Sequence, residues 1–531
     1  MNSMFIRSVV KRSEYHDSVS LMLVARELSG MEGIQDAAVV MATEANKSIL
    51  AEAGLLTREI EVAGPNDLVL AVSAAQVSKA EGALEKADEL LKRRARPETA
   101  GEFTPKTIRS ALSLEPGTNM AVISVTGRYA SDQAWEALQH GLHVLLFSDN
   151  VPLEDEIALK KYAVEQGLLL MGAGAGTAII NGIALGFANV IQRGPVGIIS
   201  AAGTGLQEVS SLLARGGVGI SQGIGTGGRD LKKEVGGIMM LSALQALQQD
   251  PDTSVLVLIS KPPAEEVAAA ILHQAAASTK PTVACFLGGE LGPQAKGSNI
   301  IPARTLQECS LLAARALQSE KPDREAFYRE EKTQLVKKAR GLEGKLDSRQ
   351  HYLRGLFSGG TLCYEAQVIW KDMLKNPIHS NAPLPGGLTL PDSTKSIGHT
   401  AVDLGEEEFT VGRPHPMIDN DLRIRRLLQE ARDPETAVIM LDVVLGYGAH
   451  PDPAGELGPA IRKGREIAEA AGRELAVVAS VTGTEGEKKS WSRTNSGTLS
   501  IRSHATCRSG RTNWNACWMP GLSVNPPMRI L

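Results

Sequence analysis

The pattern of apolar and polar positions divides the chain into segments with strand and helix periodicity. Near the start, three apolar runs predict strands, at Met4–Val10, Asp36–Ala42 and Asp67–Ala74. Two segments repeat apolar residues at helical spacing, at Ser18–Glu27 and Val77–Leu91. We therefore expect a small α/β domain over residues 1–95. A linker should follow over residues 96–118, which contain three prolines and no clear period.

From residue 119 the apolar runs are nearly continuous, which is typical of parallel strands covered on both faces. Met120–Val125 and Leu142–Phe147 predict two such strands, and a third at Leu168–Met171 leads into the glycine-rich turn Gly172–Gly176. Gly174 and Gly176 in this turn are secondary candidates for a nucleotide-binding loop. The dinucleotide pattern is incomplete, because no acidic residue is suitably placed about 20 positions later.

Two further strand-and-helix units follow. The predicted strands are Val255–Ile259 and Thr282–Leu287 in a unit over residues 194–319, and Ala437–Leu445 and Ala476–Val481 in a unit over residues 351–485. Residues 320–350 between these units are highly charged with helical periodicity, which predicts a solvated connector. The pattern as a whole predicts a multidomain α/β protein with parallel sheets.

Composition excludes several classes of protein. At 531 residues the chain is too long for a single hydrophobic core, and its net charge of −4 gives no general footprint for nucleic acid. No stretch of about 20 apolar residues is present, and Met1–Asp17 lacks the apolar run of a signal peptide, so we expect a cytoplasmic protein without a membrane span. The five cysteines lie far apart without metal-ligand spacing, and we expect no metal site.

A strand–turn–helix pattern occurs twice, at Gly197–Glu208 and Gly355–Glu365. Both copies read Gly-x-x-Ser, then glycine, then Thr-x-x-x-Glu, and the first copy is one residue longer between Ser and Thr. A helix that begins after such a turn presents free N–H groups, which bind phosphate or carboxylate. The candidate phosphate- or substrate-binding residues are Ser200, Gly203, Thr204 and Gly205 in the first copy and Ser358, Gly359, Gly360 and Thr361 in the second. The alternative is that these glycines only let each helix pack closely on its strand.

Residues Asn119–Leu317 resemble the α subunit of succinyl-CoA synthetase in the order of their elements. The resemblance is carried by Gly197–Glu208, where that family has a phosphate-holding turn and helix, and by the turn Gly172–Thr177. It implies a Rossmann-like domain of the CoA-binding type over residues 119–193 and a flavodoxin-like domain over residues 194–319. The second copy of the pattern implies that residues 351–485 form another flavodoxin-like domain.

The synthetase α subunit carries a phosphorylated histidine in a loop that corresponds to Gly288–Asn299. This chain has no histidine in that loop, so the resemblance does not transfer a phosphohistidine. A P-loop pattern and a recognisable ATP-grasp domain are also missing from the sequence. We therefore expect that the chain does not use ATP by itself.

Up to about Glu485 the chain resembles the FdrA family more closely. The motifs that carry this resemblance are Gly227–Leu231, Ser260–Glu265, Phe409–Asp419, Leu441–Gly446 and Val481–Glu485. The resemblance implies one subunit of a carbamoyltransferase that converts oxalurate and phosphate into oxamate and carbamoyl phosphate in purine catabolism. Two alternatives stay open: an α-like chain of an ADP-forming acyl-CoA ligase, and a non-catalytic scaffold or regulatory subunit.

Further candidate residues lie in these motifs. Arg413 could form a bidentate contact with a substrate carboxylate, and His415, which lies between two prolines, could transfer a proton. Asp442 is near the end of a buried strand, where ligands bind in parallel sheets, and is a third catalytic candidate. Arg229 and Asp230 are secondary candidates that a local salt bridge would equally explain.

The expected partners follow from the same resemblance. They are a small-molecule substrate together with phosphate, and other protein subunits; we expect no nucleic acid and no membrane. No cofactor is assigned with certainty, and the resemblance allows CoA or a nucleotide.

The last segment, residues 486–531, differs from the rest of the chain. From Lys488 onwards it has seven lysines or arginines and no acidic residue, and it holds three of the five tryptophans. A basic nucleic-acid-binding tail is one interpretation. A frameshift is the preferred hypothesis, since permitted codons for Arg511–Leu522, read in another frame, encode an amphipathic helix end. We expect the tail to be aberrant and disordered, and to leave the strand Ala476–Val481 without a neighbour.

Overall fold

The structure is a computed structural model of the chain. The residues that it describes are 5–14, 18–43, 46–47, 50–51, 53–94, 105, 107–289, 291, 298–318, 336, 339–341, 344–374, 376–410, 414–490, 518–519 and 522–525. The chain divides into two compact units. One unit comprises residues 1–105 and 406–415, and the other comprises residues 106–405 and 416–531.

The first unit contains a three-stranded antiparallel sheet in the order β1-β3-β2. Its elements are β1 (Phe5–Lys11), α1 (Ser18–Ser29), β2 (Ile34–Met41), α2 (Arg58–Glu61), β3 (Leu68–Ala74) and α3 (Val77–Arg94). The central strand β3 is buried along its whole length. Its alternate residues belong to two separate hydrophobic clusters, one of which includes α1 and α3. The predicted small N-terminal α/β domain is confirmed.

The second unit begins with a three-stranded parallel sheet in the order β4-β5-β6. Its elements are α4 (Ile108–Leu114), β4 (Met120–Ile123), α5 (Gly127–Gln139), β5 (His143–Leu146), α6 (Leu153–Glu165) and β6 (Leu170–Met171). The helix α4 lies in the segment predicted to be a linker. It forms because the side chains of Thr107 and Ser110 make a capping box at its first turn.

A seven-stranded sheet follows, in the order β13-β12-β11-β9-β10-β7-β8. Its elements are β7 (Thr177–Ile180), β8 (Ile183–Gly186), β9 (Arg193–Ser200), α7 (Gly203–Arg215), β10 (Ile220–Gly225), α8 (Ile238–Gln249), β11 (Val255–Ser260), α9 (Glu265–Ala276), β12 (Thr282–Phe286), β13 (Ile300–Pro302) and α10 (Leu306–Leu317). The hairpin β7–β8 pairs antiparallel with β10 and so belongs to this sheet. The domain boundary that we expected after residue 193 therefore falls before residue 177.

An eight-stranded sheet has the order β16-β15-β17-β14-β18-β19-β21-β20. Its strands are β14 (Tyr352–Phe357), β15 (Ile378–Ser380), β16 (Leu388–Thr389), β17 (His399–Asp403), β18 (Thr436–Val444), β19 (Ala476–Thr482), β20 (Trp518–Met519) and β21 (Leu522–Asn525). The helices in this part of the chain are α11 (Gly360–Met373), α12 (Glu407–Thr410), α13 (Asp421–Arg432) and α14 (Pro453–Ala470), followed by a 3-10 turn at Glu485–Ser490. The helix α12 is grouped with the first unit.

The two large sheets share one order of parallel strands. In each sheet the strand that leads into the glycine-rich turn lies between two parallel neighbours, and two more parallel strands follow on one side, giving β10-β9-β11-β12-β13 and β17-β14-β18-β19-β21. This is the doubly wound order of flavodoxin-like folds. The predicted fold class of a multidomain α/β protein with parallel sheets is confirmed.

The edge of β19 is covered by a strand from the C-terminal segment. The strand β21 pairs in parallel with β19, with Ala479 opposite Val524. We expected this segment to be disordered and the edge to be open. The backbone groups along an open strand edge are available as hydrogen-bond partners. A short segment such as β21 can therefore pair with that edge.

The two large sheets share one hydrophobic core. The same buried cluster contains Val257 and Cys285 from the seven-stranded sheet and Phe357 and Trp370 from the eight-stranded part. Most of the predicted connector at 320–350 lies outside the described residues. Among the helices that the structure describes, none is both long and apolar enough to cross a membrane.

Candidate functional site

Two helices begin at equivalent turns, and neither has a side-chain cap. The helix α7 begins at Gly203 after β9, and α11 begins at Gly360 after β14. The residues that precede them, Ala202 and Gly359, make no side-chain hydrogen bond to the helix. The first N–H groups of a helix have no acceptor within the helix itself. Each turn therefore presents donors at the positive end of a helix.

The two helix beginnings lie directly against each other. A Cβ atom built on Gly359 would lie 2.7 Å from Thr204 Cγ2, and one built on Gly205 would lie 3.2 Å from Thr361 Cγ2. Each glycine of one turn thus faces the threonine of the other. We call this contact the helix junction, formed by Gly203–Gly205 and Gly359–Thr361. The two turns predicted to bind anions therefore lie together in the fold.

Thr204 and Thr361 occupy the second position of their helices and are 6% and 4% exposed. Neither hydroxyl makes a hydrogen bond to another residue of the described chain. Neither hydroxyl oxygen is among the buried polar atoms without a partner, so each keeps some contact with solvent. Gly203 and Gly360, the first residues of the two helices, are partly exposed. The helix junction therefore combines unused donors with an opening to solvent.

The two predicted serines make hydrogen bonds at the turns in which they lie. Ser200 Oγ donates to the Ala202 carbonyl at 2.7 Å and accepts from the Ala202 N–H at 3.0 Å. Ser358 donates to Asp442 Oδ1 through its N–H at 2.7 Å and its hydroxyl at 3.0 Å. The Gly359 N–H donates to Asp442 Oδ2 at 2.7 Å. The donors that precede α11 are thus already bonded to a carboxylate of the chain.

Asp442 is held in place by a buried ion pair. It is fully buried in β18, and Arg423 Nη1 lies 2.7 Å from its Oδ1. The same nitrogen donates to the Asp442 carbonyl at 2.6 Å, and Nη2 donates to Asn420. Burial lowers the pKa of Arg423, and the carboxylate of Asp442 opposes that shift. Sequence reasoning missed Arg423, whose position in an amphipathic helix looks like that of a surface residue.

Two charged residues that the sequence analysis did not select lie beside Gly360. A Cβ built on Gly360 would lie 2.4 Å from Asp403 Oδ2 and 3.6 Å from Lys261 Nζ. Lys261 also lies over the Tyr364 ring, 5.7 Å from its centroid. Asp403 ends β17, and Lys261 follows β11. Both therefore come from strand ends, where ligands bind in such sheets.

The glutamates of the two repeated motifs reach across to the opposite sheet. Glu208 of α7 accepts a hydrogen bond from the Thr482 hydroxyl at the end of β19. Glu365 of α11 accepts from the Leu306 N–H, the first residue of α10, at 2.6 Å. Burial raises the pKa of Glu365 to about 8, and the nearby Glu208 carboxylate adds to the rise. Burial also raises the pKa of Glu208. Glu208 therefore links α7 to β19 of the eight-stranded sheet, and Glu365 links α11 to α10.

Arg229 and Asp230 belong to a second buried ion cluster. Asp230 Oδ1 lies 2.8 Å from Lys160 Nζ, and its Oδ2 accepts from the Met240 N–H at 2.8 Å. Arg229 Nη2 lies 2.8 Å from Glu156 Oε2. The cluster ties α6 to the beginning of α8. These contacts are those expected of the local salt bridge that we weighed as the alternative.

Gly174 and Gly176 lie in the turn between β6 and β7. A Cβ built on Gly174 would lie 2.5 Å from Asp149 Oδ1, so a carboxylate faces this turn. That charge disfavours a pyrophosphate at Gly174. The neighbouring helix α5 begins at Gly127, and Thr126 before it makes no side-chain cap. A Cβ built on Gly127 would lie 2.2 Å from the Asp149 carbonyl oxygen, so a loop of the chain packs directly against the first turn of α5.

The remaining pair of predicted catalytic residues is described only in part. Arg413 lies outside the described residues. His415 is half-buried and grouped with the first unit. The roles suggested for Arg413 and His415 stay predictions.

Three family descriptions match parts of the chain. The description "AllF, heavy metal-associated domain" matches residues 4–106, "CoA binding domain" matches residues 191–288, and "CoA-ligase" matches residues 356–508. The CoA-binding match lies in the seven-stranded sheet and not in residues 119–193, to which the resemblance had assigned that type of domain. The CoA-ligase match includes all of α11.

A relative matches nearly the whole chain. The Escherichia coli (strain K12) protein named "Uncharacterized protein YahF" is 44% identical over 483 residues, which cover 91% of this chain and 92% of that protein. The chain belongs to the YahF family. A "Succinate--CoA ligase [ADP-forming] subunit alpha" from Methanothermobacter thermautotrophicus (strain ATCC 29096 / DSM 1053 / JCM 10044 / NBRC 100330 / Delta H) is 30% identical over 187 residues. That match covers 34% of this chain and 61% of the ligase subunit.

Solved structures add a looser likeness for this YahF-family chain. The apo form of a dinucleotide-forming acetyl-coenzyme A synthetase 1 from Ca. Korarchaeum cryptofilum is 14% identical with a TM-score of 0.34. The match covers 74% of this chain and 82% of the synthetase. Together, the family and sequence matches show that the chain is CoA-ligase-like.

The metal in the first family description does not fit this YahF-family chain. Residues 4–106 contain no cysteine and a single histidine, His16. Within the described residues, no group of three or more His, Cys, Asp or Glu side chains is arranged to hold a metal ion. The residues present therefore give no reason to assign a heavy metal to the first unit.

Proposed function

We propose that the chain is the acyl-phosphate-handling subunit of an enzyme related to ADP-forming acyl-CoA ligases. The observation that carries this proposal is the helix junction, where two uncapped helices meet and the hydroxyls of two threonines make no hydrogen bond within the described chain. Such a site suits a phosphate group, which accepts several hydrogen bonds and is attracted to helix N-termini. The CoA-ligase and CoA-binding family matches support the same class of substrate.

The proposed chemistry is transfer of an acyl group from an acyl phosphate to a nucleophile. The nucleophile forms a bond to the acyl carbon, the bond from that carbon to the phosphate oxygen breaks, and phosphate leaves with the electron pair. The N–H groups of the first turns and the hydroxyls of Thr204 and Thr361 would bind the phosphate oxygens. Preorganised donors of this kind each lower a barrier by about 3 kcal/mol.

A direct transfer fits the loop after β12 better than a phosphohistidine does. The stretch Gly288–Asn299 contains no histidine, so no covalent phosphoryl carrier is supplied there. A Cβ built on Gly288 would lie 3.6 Å from Tyr364, which places the start of this loop near α11. In an acyl-CoA ligase, CoA would supply the thiol that accepts the acyl group.

The missing histidine also favours a second candidate function. Carbamoyl phosphate is an acyl phosphate, and its formation from oxalurate and phosphate needs no phosphohistidine. The resemblance to the FdrA family supports this reaction, with oxamate as the other product. The ligase candidate requires another subunit, because the sequence shows no P-loop for a nucleotide. For the carbamoyltransferase, the resemblance to the FdrA family implies partner subunits.

Ligand titration of the purified chain would test the proposal. Phosphate, acetyl phosphate, carbamoyl phosphate and CoA would each be titrated calorimetrically into the full chain and into a Thr204→Val, Thr361→Val double variant. We expect phosphate and an acyl phosphate to bind, and the double variant to lose at least tenfold in affinity. Equal phosphate binding in both proteins would contradict the site. If none of the four ligands binds, a scaffold role is favoured.

The two candidate reactions would be separated with the partner subunits present. Acyl transfer to CoA would favour the ligase, and phosphorolysis of oxalurate would favour the carbamoyltransferase. The exposed variant Lys233→Met, whose side chain is 76% exposed, is the matched surface control. It should behave as the unaltered chain in both assays.

A further inference from the structure

The two turns of the helix junction are held by different groups, although their motifs are alike. The first copy of the motif is one residue longer between Ser and Thr. There, Ser200 Oγ donates to the Ala202 carbonyl and accepts from the Ala202 N–H, so the turn before α7 is held by its own hydroxyl. In the shorter copy, Ser358 donates to Asp442 through both its N–H and its hydroxyl. The turn before α11 therefore depends on a residue of the neighbouring strand β18.

Asp442 determines the direction of the backbone at the beginning of α11. Its Oδ1 accepts from the Ser358 N–H and its Oδ2 accepts from the Gly359 N–H, both at 2.7 Å. Two adjacent peptide groups that are bonded to the two oxygens of one planar carboxylate have little freedom to rotate. The N–H groups of Gly360 and Thr361 follow directly in the chain. Their direction therefore depends on where the carboxylate of Asp442 lies.

Arg423 places that carboxylate. Its Nη1 donates to Asp442 Oδ1 at 2.7 Å and to the Asp442 carbonyl oxygen at 2.6 Å, and its Nη2 donates to Asn420 Oδ1 at 2.8 Å. All three side chains are buried, and a buried carboxylate requires a paired cation. A guanidinium can make these bonds at once because its nitrogens are fixed in one plane, whereas lysine presents a single charged nitrogen.

Asn420 shows that the placement of Arg423 is under a constraint of its own. Asn420 precedes α13, at the position where an asparagine side chain usually caps the helix. Here it makes no bond to that helix. Its Nδ2 donates to Glu456 Oε2 at 3.0 Å, which fixes the amide so that its oxygen faces Arg423. Formation of α13 alone would favour the cap, so the bond to Arg423 indicates a requirement that lies outside this helix.

We propose that Arg423 is a positioning residue of the helix junction: through Asp442, it orients the first N–H groups of α11 for the ligand. This inference rests on the proposed function, in which those N–H groups bind a phosphate group. Arg423 is 2% exposed, so it acts through Asp442 and not by contact with the ligand. Its replacement should therefore weaken ligand binding by more than its effect on folding accounts for.

The same sheet supplies a matched control for Arg423. Arg354 is also buried, and it forms ion pairs with Asp433 at 2.7 Å and with Glu430 at 3.3 Å. It lies in β14, four residues before Ser358, which corresponds to about 13 Å of extended chain. Arg354→Lys and Arg423→Lys thus make the same change to a buried ion pair at two distances from the junction.

Phosphate affinity and thermal unfolding, measured together, test the proposal. Inorganic phosphate is titrated calorimetrically into the full chain and both variants, at a temperature where thermal unfolding curves show all three to be folded. We expect both variants to unfold at a lower temperature. Only Arg423→Lys should bind phosphate more weakly, by about tenfold, while Arg354→Lys stays within about twofold of the unaltered chain.

Two results would overturn the positioning role: unchanged phosphate affinity in Arg423→Lys, or equal losses of affinity in the two variants. A lack of phosphate binding by the unaltered chain would overturn the proposed function instead. Asn420→Ala keeps the test decisive if Arg423→Lys does not fold, because it leaves the pair of Arg423 and Asp442 in place. It should weaken phosphate binding about threefold, and an unchanged affinity would contradict the proposal.

Discussion

Thr204 and Thr361 are polar residues in places where an apolar side chain would suit folding better. Both are buried, and neither hydroxyl has a partner in the described chain. A hydroxyl that bonds only to solvent adds little to folding, and valine has nearly the same shape. Threonine at both positions therefore supplies hydroxyls that the proposed ligand can bond.

This argument predicts the stability of the valine variants. Thr204→Val should change the free energy of unfolding by less than about 0.5 kcal/mol, measured by urea denaturation without ligand. Thr482→Val is the contrasting variant, because that hydroxyl bonds to Glu208 and its removal should destabilise the chain. A clear loss of stability in Thr204→Val would show that its hydroxyl has a structural partner.

The ion pair of Asp442 and Arg423 makes a second prediction at this scale. Asp442→Asn should lower the free energy of unfolding by about 3 kcal/mol or more, since it leaves the buried Arg423 guanidinium without its counter-ion. The control is Asp372→Asn, which breaks the exposed pair with Arg304 and should cost less than about 0.5 kcal/mol. Similar losses in the two variants, measured by urea denaturation, would argue against a buried pair.

Glu365 predicts how stability depends on pH. Its pKa is raised to about 8 in the folded chain, from an ordinary value of 4.5. The folded chain therefore keeps a proton that the unfolded chain has released, and stability falls as the pH rises from 4.5 to 8. The contribution changes by at most about 1.4 kcal/mol per pH unit.

Glu365→Gln removes this loss while keeping an acceptor for the Leu306 N–H. We expect its stability relative to the unaltered chain to increase between pH 5 and pH 8, measured by urea denaturation at a series of pH values. The exposed residue Glu466 provides the control, since Glu466→Gln should show no such trend. A constant difference between Glu365→Gln and the unaltered chain would mean that Glu365 is ionised throughout this range.

At the scale of elements, the junction of α7 and α11 depends on glycine. A Cβ at Gly359 would lie 2.7 Å from Thr204 Cγ2 and 3.0 Å from Thr204 Cβ and Oγ1. Gly359→Ala should push the two turns apart, lowering stability by about 1–3 kcal/mol and weakening phosphate binding. Urea denaturation and calorimetry would measure the two effects.

The control for Gly359→Ala is Gly82→Ala in the middle of α3. A Cβ at Gly82 meets nothing within 4 Å, so alanine should stabilise its helix by about 0.5–1 kcal/mol. If Gly359→Ala behaved like Gly82→Ala, the two turns would not be in contact.

Local periodicity was sufficient to predict most elements. The strands β1, β2 and β3 and the helices α1 and α3 were predicted to within about three residues, because each carries its own apolar pattern. The linker prediction missed α4, whose formation depends on the capping pair of Thr107 and Ser110 and not on periodicity. The hairpin β7–β8 was assigned to the wrong domain, since its pairing with β10 is a contact between distant residues.

The candidate site could be predicted only as two separate halves. The repeated motif identified both turns from sequence, including Thr204 and Thr361. Their contact, and the bonds from Ser358 and Gly359 to Asp442, join residues far apart in the chain, and local patterns do not report such contacts. Lys261 lay inside a motif that was noticed, and Asp403 is the last residue of an apolar strand, so both could have been considered.

At the scale of the whole molecule, the edge of β19 makes a further prediction. The strand β21 pairs with residues Val478–Ser480 of that edge. A chain that ends at Ser490 would expose these backbone groups, and exposed edges promote aggregation. We expect this truncated chain to show higher light scattering than the full chain at equal concentration. Equal scattering would show that β21 does not protect the edge.

The two turns of the helix junction are carried by a single polypeptide. Their encounter is therefore intramolecular, with an effective concentration that does not change when the protein is diluted. A site assembled from two separate subunits would lose its phosphate affinity on dilution, as the subunits dissociate. In this chain the ratio of the two halves is fixed at one to one by synthesis, and neither half can exchange for another. Phosphate affinity should accordingly be independent of protein concentration down to the nanomolar range.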